Sequence, residues 1–416
     1  MNAAASSPGT APAARRRDLW RNRRFRWFFA SEFVGNTGYA LYAVAVVWLA
    51  VARTGSYALA GAVLALEFGI YACSFVVGPL VDRARNLRRI ALVGYLGQAG
   101  LAAALGLSVA VNVFSPALLL VLVAGLSIVW DFTWTATNAL LPELVADEEL
   151  FLANGLIGSS GGGNQVAGAA LGAVLLTVSG PAIALLGYAA FNLAALVTLV
   201  PIATADRPAR PSRFLAELSA GWAYLASGPG RPRLQLAAFG ALQGFLSGAP
   251  PLLIALEARA QFAGAASVYG AFATAMAFGG VVGGLVLGAV APRRNLGPLL
   301  LATAAGEGAV LAALAAISAG SWVAATLWGV VGAAEAVYFS VILVYLQATT
   351  PVALRGRTFT NTYFFRGTAR AAGAFGIGAA AVAISFGSLT LLVGAGLLVL
   401  AAACAAGLPA LRGLSF

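Results

Sequence analysis

The sequence contains no histidine, and its 25 basic residues are all arginine, so lysine is absent as well. Without histidine the chain has no Ser-His dyad, no imidazole metal ligand and no imidazole proton relay. Without lysine it has no residue that could form a Schiff base with retinal or pyridoxal phosphate. Any change of charge by protonation is therefore expected to depend on carboxylates.

Cysteine and methionine are scarce, with two residues of each. Cys73 and Cys404 fall in apolar segments and form no Cys-x-x-Cys motif, so neither a disulfide framework nor a thiolate metal site is expected. Two methionines are too few for a thioether copper pathway. Because the sequence also shows no nucleophile-base pair and no metal constellation, we predict no metal, no cofactor and no enzymatic activity.

Charged residues are few as well. They make up 9% of the 416 residues, whereas 61% are hydrophobic, which excludes an ordinary water-soluble protein and predicts an integral membrane protein. The formal net charge of +11 would suit a nucleic-acid partner, but the arginines cluster in short loops without an aromatic-basic stripe. We therefore predict no nucleic-acid partner and attribute the arginines to membrane topology.

Long apolar runs divide the chain into twelve predicted transmembrane spans, each of about 20 residues or more. The spans are 27–51, 57–80, 89–111, 115–139, 153–178, 181–203, 234–256, 266–290, 297–318, 321–346, 359–385 and 388–410. Arginines cluster in every second connection, while the others hold only Arg53 and Arg259. The positive-inside rule then predicts that both termini are cytoplasmic, in a multi-pass protein of the inner or plasma membrane.

The spans form two groups of six on either side of one long linker. The predicted parts are a disordered basic tail at 1–25, a first six-helix half at 26–203, a linker at 204–233 and a second six-helix half at 234–416. Pro142 after span four and Pro351 after span ten hold corresponding positions, which indicates a duplicated repeat. The predicted fold is all-α, with two pseudo-symmetric halves and a substrate site between them.

The linker carries its own helical signal. Four apolar residues fall on one helical face: Phe214, Leu218, Trp222 and Leu225. This pattern predicts an amphipathic helix that lies along the cytoplasmic membrane surface.

One loop carries a family motif. The segment GPLVDRARNLRR, Gly78 to Arg89, resembles the loop motif of the major facilitator superfamily. The segments ALLPELVADEELFLANGL, SRFLAELSAGWAYL and LRGRTF resemble the branch of macrolide and enterobactin exporters. The resemblance implies the major facilitator fold and a secondary transporter, specifically a proton-linked exporter of drug-like or natural-product molecules.

The chain also departs from the family pattern. Ala169 stands where the antiporter signature of helix five has a proline, and Arg85 and Asn86 replace common loop residues. A uniporter, an importer or a lysolipid flippase of the same fold is therefore an alternative. A membrane enzyme or receptor is disfavoured, because the chain has no sizeable soluble domain.

The loop motif has a physical interpretation of its own. The predicted gating residues are Gly78, Asp82, Arg83, Arg88 and Arg89. Asp82 ends the second span beside the arginines, so it can form charge-assisted bonds at the cytoplasmic seam that break when the halves separate. The alternative interpretation is an ordinary positive-inside loop.

Seven charged residues fall inside predicted spans, and such groups normally face a cavity or a partner. They are the acids Glu32, Glu67, Asp131, Glu307 and Glu335 and the arginines Arg366 and Arg370. If all are ionised, the acids outnumber the arginines. This balance favours protons or a cationic substrate over an anionic one.

Polar and aromatic residues share helical faces with several of these acids. Asp131 heads a stripe through Thr135 and Asn138, so we expect it to face water rather than lipid. The candidate cavity residues are Asn36, Tyr39, Trp130, Trp134, Thr135, Asn138, Gln243 and Tyr338. The family resemblance places spans one, four, seven and ten around the cavity, which makes Asp131 and Glu335 the first candidates for proton or cation contact and Glu32 the next. Alternatively, the tryptophans only pack.

The depths of two charges predict a pairing. Spans two and eleven are expected to meet at the interface of the halves. Glu67 on span two and Arg370 on span eleven lie at similar heights, so we expect these charges to pair, with Arg366 reaching Asp131. Glu67 could equally be structural. Glu307, on a peripheral span, is expected to snorkel or to bond locally.

Together these features predict alternating access, in which protonation of embedded acids changes the relative stability of the inward and outward states. The expected partners are a small lipophilic or cationic molecule, protons and the lipid bilayer. The protein is expected to act as a monomer.

Overall fold

The structure is a computed structural model in which the described residues form helices, turns and connecting loops, with no β-strand among them. The described residues are 19–70, 74–206, 222–227, 231–248, 250–290, 296–317, 320–408, 411, 413 and 414. Some predictions fall outside these ranges. They concern Cys73, the basic tail up to residue 18 and the part of the linker helix at 207–221.

The first half consists of helices before the linker. They are α1 Arg23–Thr54, α2 Tyr57–Gly69, α3 Ser74–Asp82, α4 Leu87–Ala110, α5 Pro116–Leu140, α6 Leu150–Val178 and α7 Gly180–Leu199. Side chains fix several helix starts, because the first backbone N–H groups of a helix lack partners within it. Asn22 accepts bonds from the backbone N–H groups of Arg24 and Phe25 at the start of α1, and Ser115 caps α5 in the same way.

The second half follows the linker. Its helices are α8 Arg231–Leu246, α9 Pro250–Gln261, α10 Ala266–Val290, α11 Leu296–Ala316, α12 Ser321–Thr349, α13 Val352–Ala380 and α14 Phe386–Gly407. Ser385 caps α14 through the backbone N–H of Ser388.

The predicted spans correspond to these helices with three kinds of difference. Within the described residues, nine helices are long and apolar enough to cross a membrane. The predicted fifth and eleventh spans are the long helices α6 and α13, which are not among the nine, and the predicted second span is divided between α2 and α3. The predicted seventh span ends too early, since α9 continues to Gln261.

The helices pack in the same order in both halves. In the first half α4 lies against α5 and α7, and in the second half α11 lies against the corresponding α12 and α14. Between the halves, α2 packs against α13 and α6 packs against α10. The expectation that spans two and eleven meet is therefore confirmed.

The apolar core divides along the membrane normal. We call the end of the bundle with the α3–α4 loop, Arg83 to Asn86, the basic face, and the end where α1 finishes at Thr54 the opposite face. One cluster near the opposite face joins the two halves and includes Val47, Leu59 and Leu253. Toward the basic face there are two separate clusters, one within each half. The halves therefore share a core only near the opposite face.

Glycines on α2 and α3 show how the halves diverge. A Cβ on Gly61, near the opposite face, would lie 2.6 Å from the carbonyl oxygen of Ala374 on α13. On Gly69 it would lie 3.9 Å from Ala371, and on Gly78 it would meet nothing within 4 Å. The two halves are therefore in backbone contact at the opposite face and separate toward the basic face.

Candidate functional site

A cavity of about 990 Å³ lies between the two halves. This is the upper end of the volume range of small-molecule sites, which is about 300–1,000 Å³. Its lining comes from both halves and is mostly apolar, including Phe68 and Ala169 of the first half and Ile254, Met276 and Phe359 of the second. A drug-sized apolar molecule would fit this space.

The charged residues in the cavity lining come from α12 and α13. Arg370 donates to Glu335, with 3.5 Å between Nη2 and Oε1. The Arg370 guanidinium also lies 4.3 Å from the centre of the Phe68 ring on α2, so this cation contacts both halves. The pair is therefore placed where movement of one half against the other would disturb it.

Arg366 has a different environment one turn away on α13. Its guanidinium lies 5.7 Å from the Tyr338 ring centre and 5.5 Å from that of Phe339. Its Nε atom is buried without a hydrogen-bond partner, and no carboxylate of the described residues pairs with it. Arg366 is thus a cavity cation held by aromatic rings.

The structure brings five of the predicted proton, cation and cavity residues to this lining. They are Trp134, Thr135, Glu335, Arg366 and Arg370. Gly78 of the loop motif lines the same cavity. Tyr338 does not line it, because it is buried beneath Arg366.

Asp131 is placed differently from its prediction. It is 1% exposed and is not part of the cavity lining, although Trp134 and Thr135 are. Asp131 lies one turn closer to the opposite face, where the halves close together. Asn138, at the other end of the predicted stripe, donates to the backbone carbonyl of Trp134 at 2.7 Å and is not in the lining either. The predicted water-facing stripe therefore reaches the cavity only at Thr135.

Glu32 lies in a small pocket inside the first half. Its carboxylate accepts hydrogen bonds from Tyr95 Oη and Asn36 Nδ2, each at 3.4 Å. Trp130 and Trp134 line the same pocket, with their rings stacked 5.9 Å apart. Trp130 therefore faces this pocket rather than the main cavity.

Glu67 occupies a second small pocket of the first half. It is 6% exposed and is surrounded by Tyr42, Tyr188 and the stacked pair of Tyr39 and Trp130. No ion pair joins Glu67 to Arg370. The predicted Glu67–Arg370 pair is wrong because similar depths do not fix the direction of a side chain around its helix.

The second part of that hypothesis is also wrong. Arg366, expected to reach Asp131, lies against the aromatic rings of its own half instead.

Glu307 is the acceptor of a buried polar cluster. Its carboxylate accepts hydrogen bonds from Ser247 Oγ at 2.7 Å and from Gln243 Nε2 at 3.1 Å. Glu307 is 1% exposed, so it does not snorkel, and Gln243 is fully buried rather than in the cavity as predicted. The cluster joins α11 to the end of α8 within the second half.

Replacing Glu307 with leucine should lower the thermal stability of the protein. The change leaves Gln243 and Ser247 without their shared acceptor, and an unsatisfied buried polar group costs about 1–3 kcal/mol. Thermal unfolding of the detergent-purified protein measures the effect. Glu307→Gln keeps an acceptor oxygen and is expected to cost less, so an equal loss in both variants would contradict a hydrogen-bonding role.

Sequence reasoning missed one buried acid, Glu257. It is 1% exposed and accepts a hydrogen bond from the indole Nε1 of Trp328 at 2.5 Å. The signal was present in the segment LLIALEA, but the predicted seventh span stopped at residue 256.

The halves are joined near the opposite face by contacts to α1. Arg259 Nη1 donates to the carbonyl oxygen of Val51 at 2.7 Å, and Tyr269 Oη donates to that of Val44 at 3.1 Å. The rings of Trp48 and Tyr269 stack with 4.8 Å between their centres. These contacts close the cavity on the side away from the basic face.

The described hydrogen bonds of the loop motif reach the end of α7 and the start of the linker. Arg88 donates to the carbonyl oxygens of Leu199 and Val200 at the end of α7, and Asn86 donates to Asp206 at 2.9 Å. Asp82 is exposed and makes no ion pair among the described residues. Arg83 and Arg89 are exposed as well. No hydrogen bond or ion pair from the motif to the second half occurs among the described residues.

An all-helical bundle of membrane-length apolar helices, built from two similarly packed halves around a central cavity, defines a membrane transporter of the major facilitator fold. The chain belongs to the transmembrane secretion effector family of the major facilitator superfamily, whose family model matches residues 19–413.

Solved structures share this fold at low sequence identity. A POT family transporter in complex with 5-aminolevulinic acid has a TM-score of 0.74 and 11% identity, covering 94% of this chain and 97% of that one. The nucleoside transporter NupG has a TM-score of 0.70 and 15% identity, covering 92% and 98%. A bacterial homologue of the iron transporter ferroportin, in an inward-facing state, has a TM-score of 0.68 and 15% identity, covering 91% and 97%. No curated protein matches the chain in sequence.

Proposed function

We propose that the protein is a secondary active transporter that exports hydrophobic small molecules by alternating access, coupled to proton entry. The cavity of about 990 Å³ between the halves carries this proposal. The contacts of Arg259 and Tyr269 close the opposite face, and the halves separate toward the basic face. If the basic face is cytoplasmic, as the arginine distribution predicts, a substrate enters the cavity from inside the cell.

The ion pair of Glu335 and Arg370 is the proposed coupling element. Protonation of Glu335 removes its negative charge and releases Arg370, which also lies over Phe68 of the other half. The protonation state of Glu335 would therefore change how firmly the halves are held around the cavity.

The cavity supports a hydrophobic substrate more directly than a cationic one. Of the embedded acids named above, only Glu335 lines it, together with Arg366 and Arg370. The acid excess that favoured a cation is thus located in other pockets. A uniporter, an importer or a lysolipid flippase remains the alternative within this fold. The resemblance to the branch of macrolide and enterobactin exporters stays a prediction about the substrate class.

The proposal is tested in two steps. A thermal-shift screen of purified protein against macrolides, siderophores, lipophilic cations and lysolipids identifies a ligand. Reconstitution in proteoliposomes with a pH-sensitive dye inside then shows whether adding that ligand drives proton movement. Coupled transport predicts proton flux that depends on the ligand and saturates with it, whereas ligand movement without proton flux would establish uniport instead.

Asp131 is the second proposed coupling acid, although it lies outside the cavity lining. Asp131→Asn should reduce proton-driven transport by about tenfold or more, because an amide cannot take up and release the proton that a buried membrane carboxylate can. Transport rates are measured between pH 5 and pH 8. The exposed acid Asp147 gives a matched control, since Asp147→Asn should leave the profile unchanged. An Asp131→Asn profile equal to wild type at every pH would limit Asp131 to a structural role.

A further inference from the structure

The charged residues that line the cavity include more arginines than acids, whereas the embedded charged residues as a whole include more acids than arginines. Glu335, Arg366 and Arg370 line it, whereas Glu32 and Glu67 line separate small pockets of the first half. Glu257 and Glu307 are bonded inside the second half. Among the described lining residues, a ligand in the cavity would therefore meet one carboxylate and two guanidinium groups.

Only one of the two guanidinium groups has an acidic partner. Arg370 pairs with Glu335, whereas Arg366 has no carboxylate partner among the described residues of the cavity. The planar guanidinium of Arg366 can donate two parallel hydrogen bonds to a carboxylate or phosphate group. The Tyr338 and Phe339 rings offset part of its charge, but no carboxylate among the described residues pairs with it.

Packing fixes Arg366 in this position. A Cβ on Gly244 of α8 would lie 3.1 Å from Cγ of Arg366, so the aliphatic part of the side chain runs directly against the α8 backbone. The guanidinium is held against α12 by the two rings. Because α8 and α12 both restrain the Arg366 side chain, binding a ligand costs little additional side-chain entropy.

The remainder of the cavity lining is apolar and aromatic. Phe339, Phe359 and Tyr363 lie in the lining beside Arg366. An apolar body can rest against these rings while an anionic group reaches the arginine. This combination matches an amphipathic anion and opposes a lipophilic cation, which the guanidinium would repel.

We propose that the cavity binds amphipathic anions, with a carboxylate or phosphate group on Arg366 and the apolar body against the neighbouring aromatic rings. The proposal rests on the proposed function insofar as the cavity is the transport site. The same anionic group can come from a free organic acid or from an anionic lysolipid.

Three naphthalene compounds of similar size test the charge preference. These are 1-naphthaleneacetate, its neutral amide and 1-naphthylmethylammonium, with binding measured by microscale thermophoresis on the full-length protein in nanodiscs. The carboxylate is expected to bind about tenfold more tightly than the amide, the value of one charge-assisted hydrogen bond. The ammonium compound is expected to bind most weakly.

Variants of Arg366 and of Glu335 should change carboxylate binding in opposite directions. Arg366→Gln should remove the preference for the carboxylate, and Arg366→Lys should keep part of it as a point charge. Glu335→Gln should strengthen carboxylate binding, because it leaves Arg370 without its acid. Arg24→Gln, at an exposed arginine of α1, is the matched control and should change nothing.

Lysophosphatidylglycerol, added in place of the naphthalene compounds, distinguishes the two sources of the anion. Tight binding that depends on Arg366 would identify a lipid source, and binding restricted to the free acid would identify a soluble one. Preferred binding of the ammonium compound, or a carboxylate preference unchanged in Arg366→Gln, would overturn the proposal.

The failures of the two proposals can be separated. If neutral compounds drive proton flux but anions bind no better than their amides, the proposed function stands and the anion site is wrong. If anions bind through Arg366 but no ligand drives proton flux, the anion site stands and proton-coupled transport is wrong.

Discussion

Gly378→Leu should reduce transport by about tenfold or more, because the side chain would enter a backbone contact between the halves. A Cβ on Gly378 would lie 2.8 Å from Cα of Gly61 and 2.8 Å from the carbonyl oxygen of Tyr57. The opposite face could not close as it does here, so the protein should favour a conformation in which this face is open. Transport in proteoliposomes measures the loss.

Gly376 provides a matched control two residues away on α13. A Cβ there meets nothing within 4 Å, so Gly376→Leu should transport like wild type. The direction of the conformational change can be read with Ala336→Cys, a cavity position, in a variant without Cys73 and Cys404. Gly378→Leu should increase its labelling by an impermeant maleimide from the opposite face. Unchanged labelling together with unchanged transport would show that this contact is dispensable.

Reversing the charge of either partner in the cavity ion pair should have a similarly large effect. Glu335→Arg or Arg370→Glu places like charges where an ion pair of 3.5 Å now stands. Breaking a buried pair costs about 3–5 kcal/mol, and the pair is 15–19% exposed, so a loss near the lower end is expected. Each single variant should therefore lose transport by about a hundredfold.

The double variant, Glu335→Arg with Arg370→Glu, restores opposite charges and should recover a measurable part of the transport. The readout is ligand-driven proton flux, with thermal unfolding to show that each variant is folded. If the double variant is no better than either single variant, the pair itself is not the coupling element. A single variant that still binds the ligand but no longer shows ligand-driven proton flux would have its defect in coupling rather than in binding.

Hydropathy and arginine placement predicted most of the fold, because each span must satisfy its own backbone in lipid and leaves a strong local signal. The expected meeting of spans two and eleven at the interface of the halves is confirmed by the packing of α2 against α13. The boundary of span seven was wrong because the averaged hydropathy falls at Glu257, which the fold tolerates through its bond to Trp328.

The candidate site was less predictable than the fold. Helical spacing put Asp131 and Thr135 on one face, and Thr135 lies in the cavity lining. The spacing could not show that Asp131, one turn away, lies where the halves close. Gln243 and Glu307 are far apart in sequence, and only the packing of α8 and α11 brings them together. The direction in which a side chain points around its helix depends on packing against other helices. The spacing of residues within one span carries no information about that packing.

The stacking of Trp48 on Tyr269 gives the protein a built-in optical reporter. The two rings belong to different halves, and Trp48 is 6% exposed while they are together. Opening of the opposite face would separate them and hydrate the indole, which should shift its emission to longer wavelength. The conformational cycle could then be followed by tryptophan fluorescence in real time, with Trp48→Phe identifying the contribution of this residue.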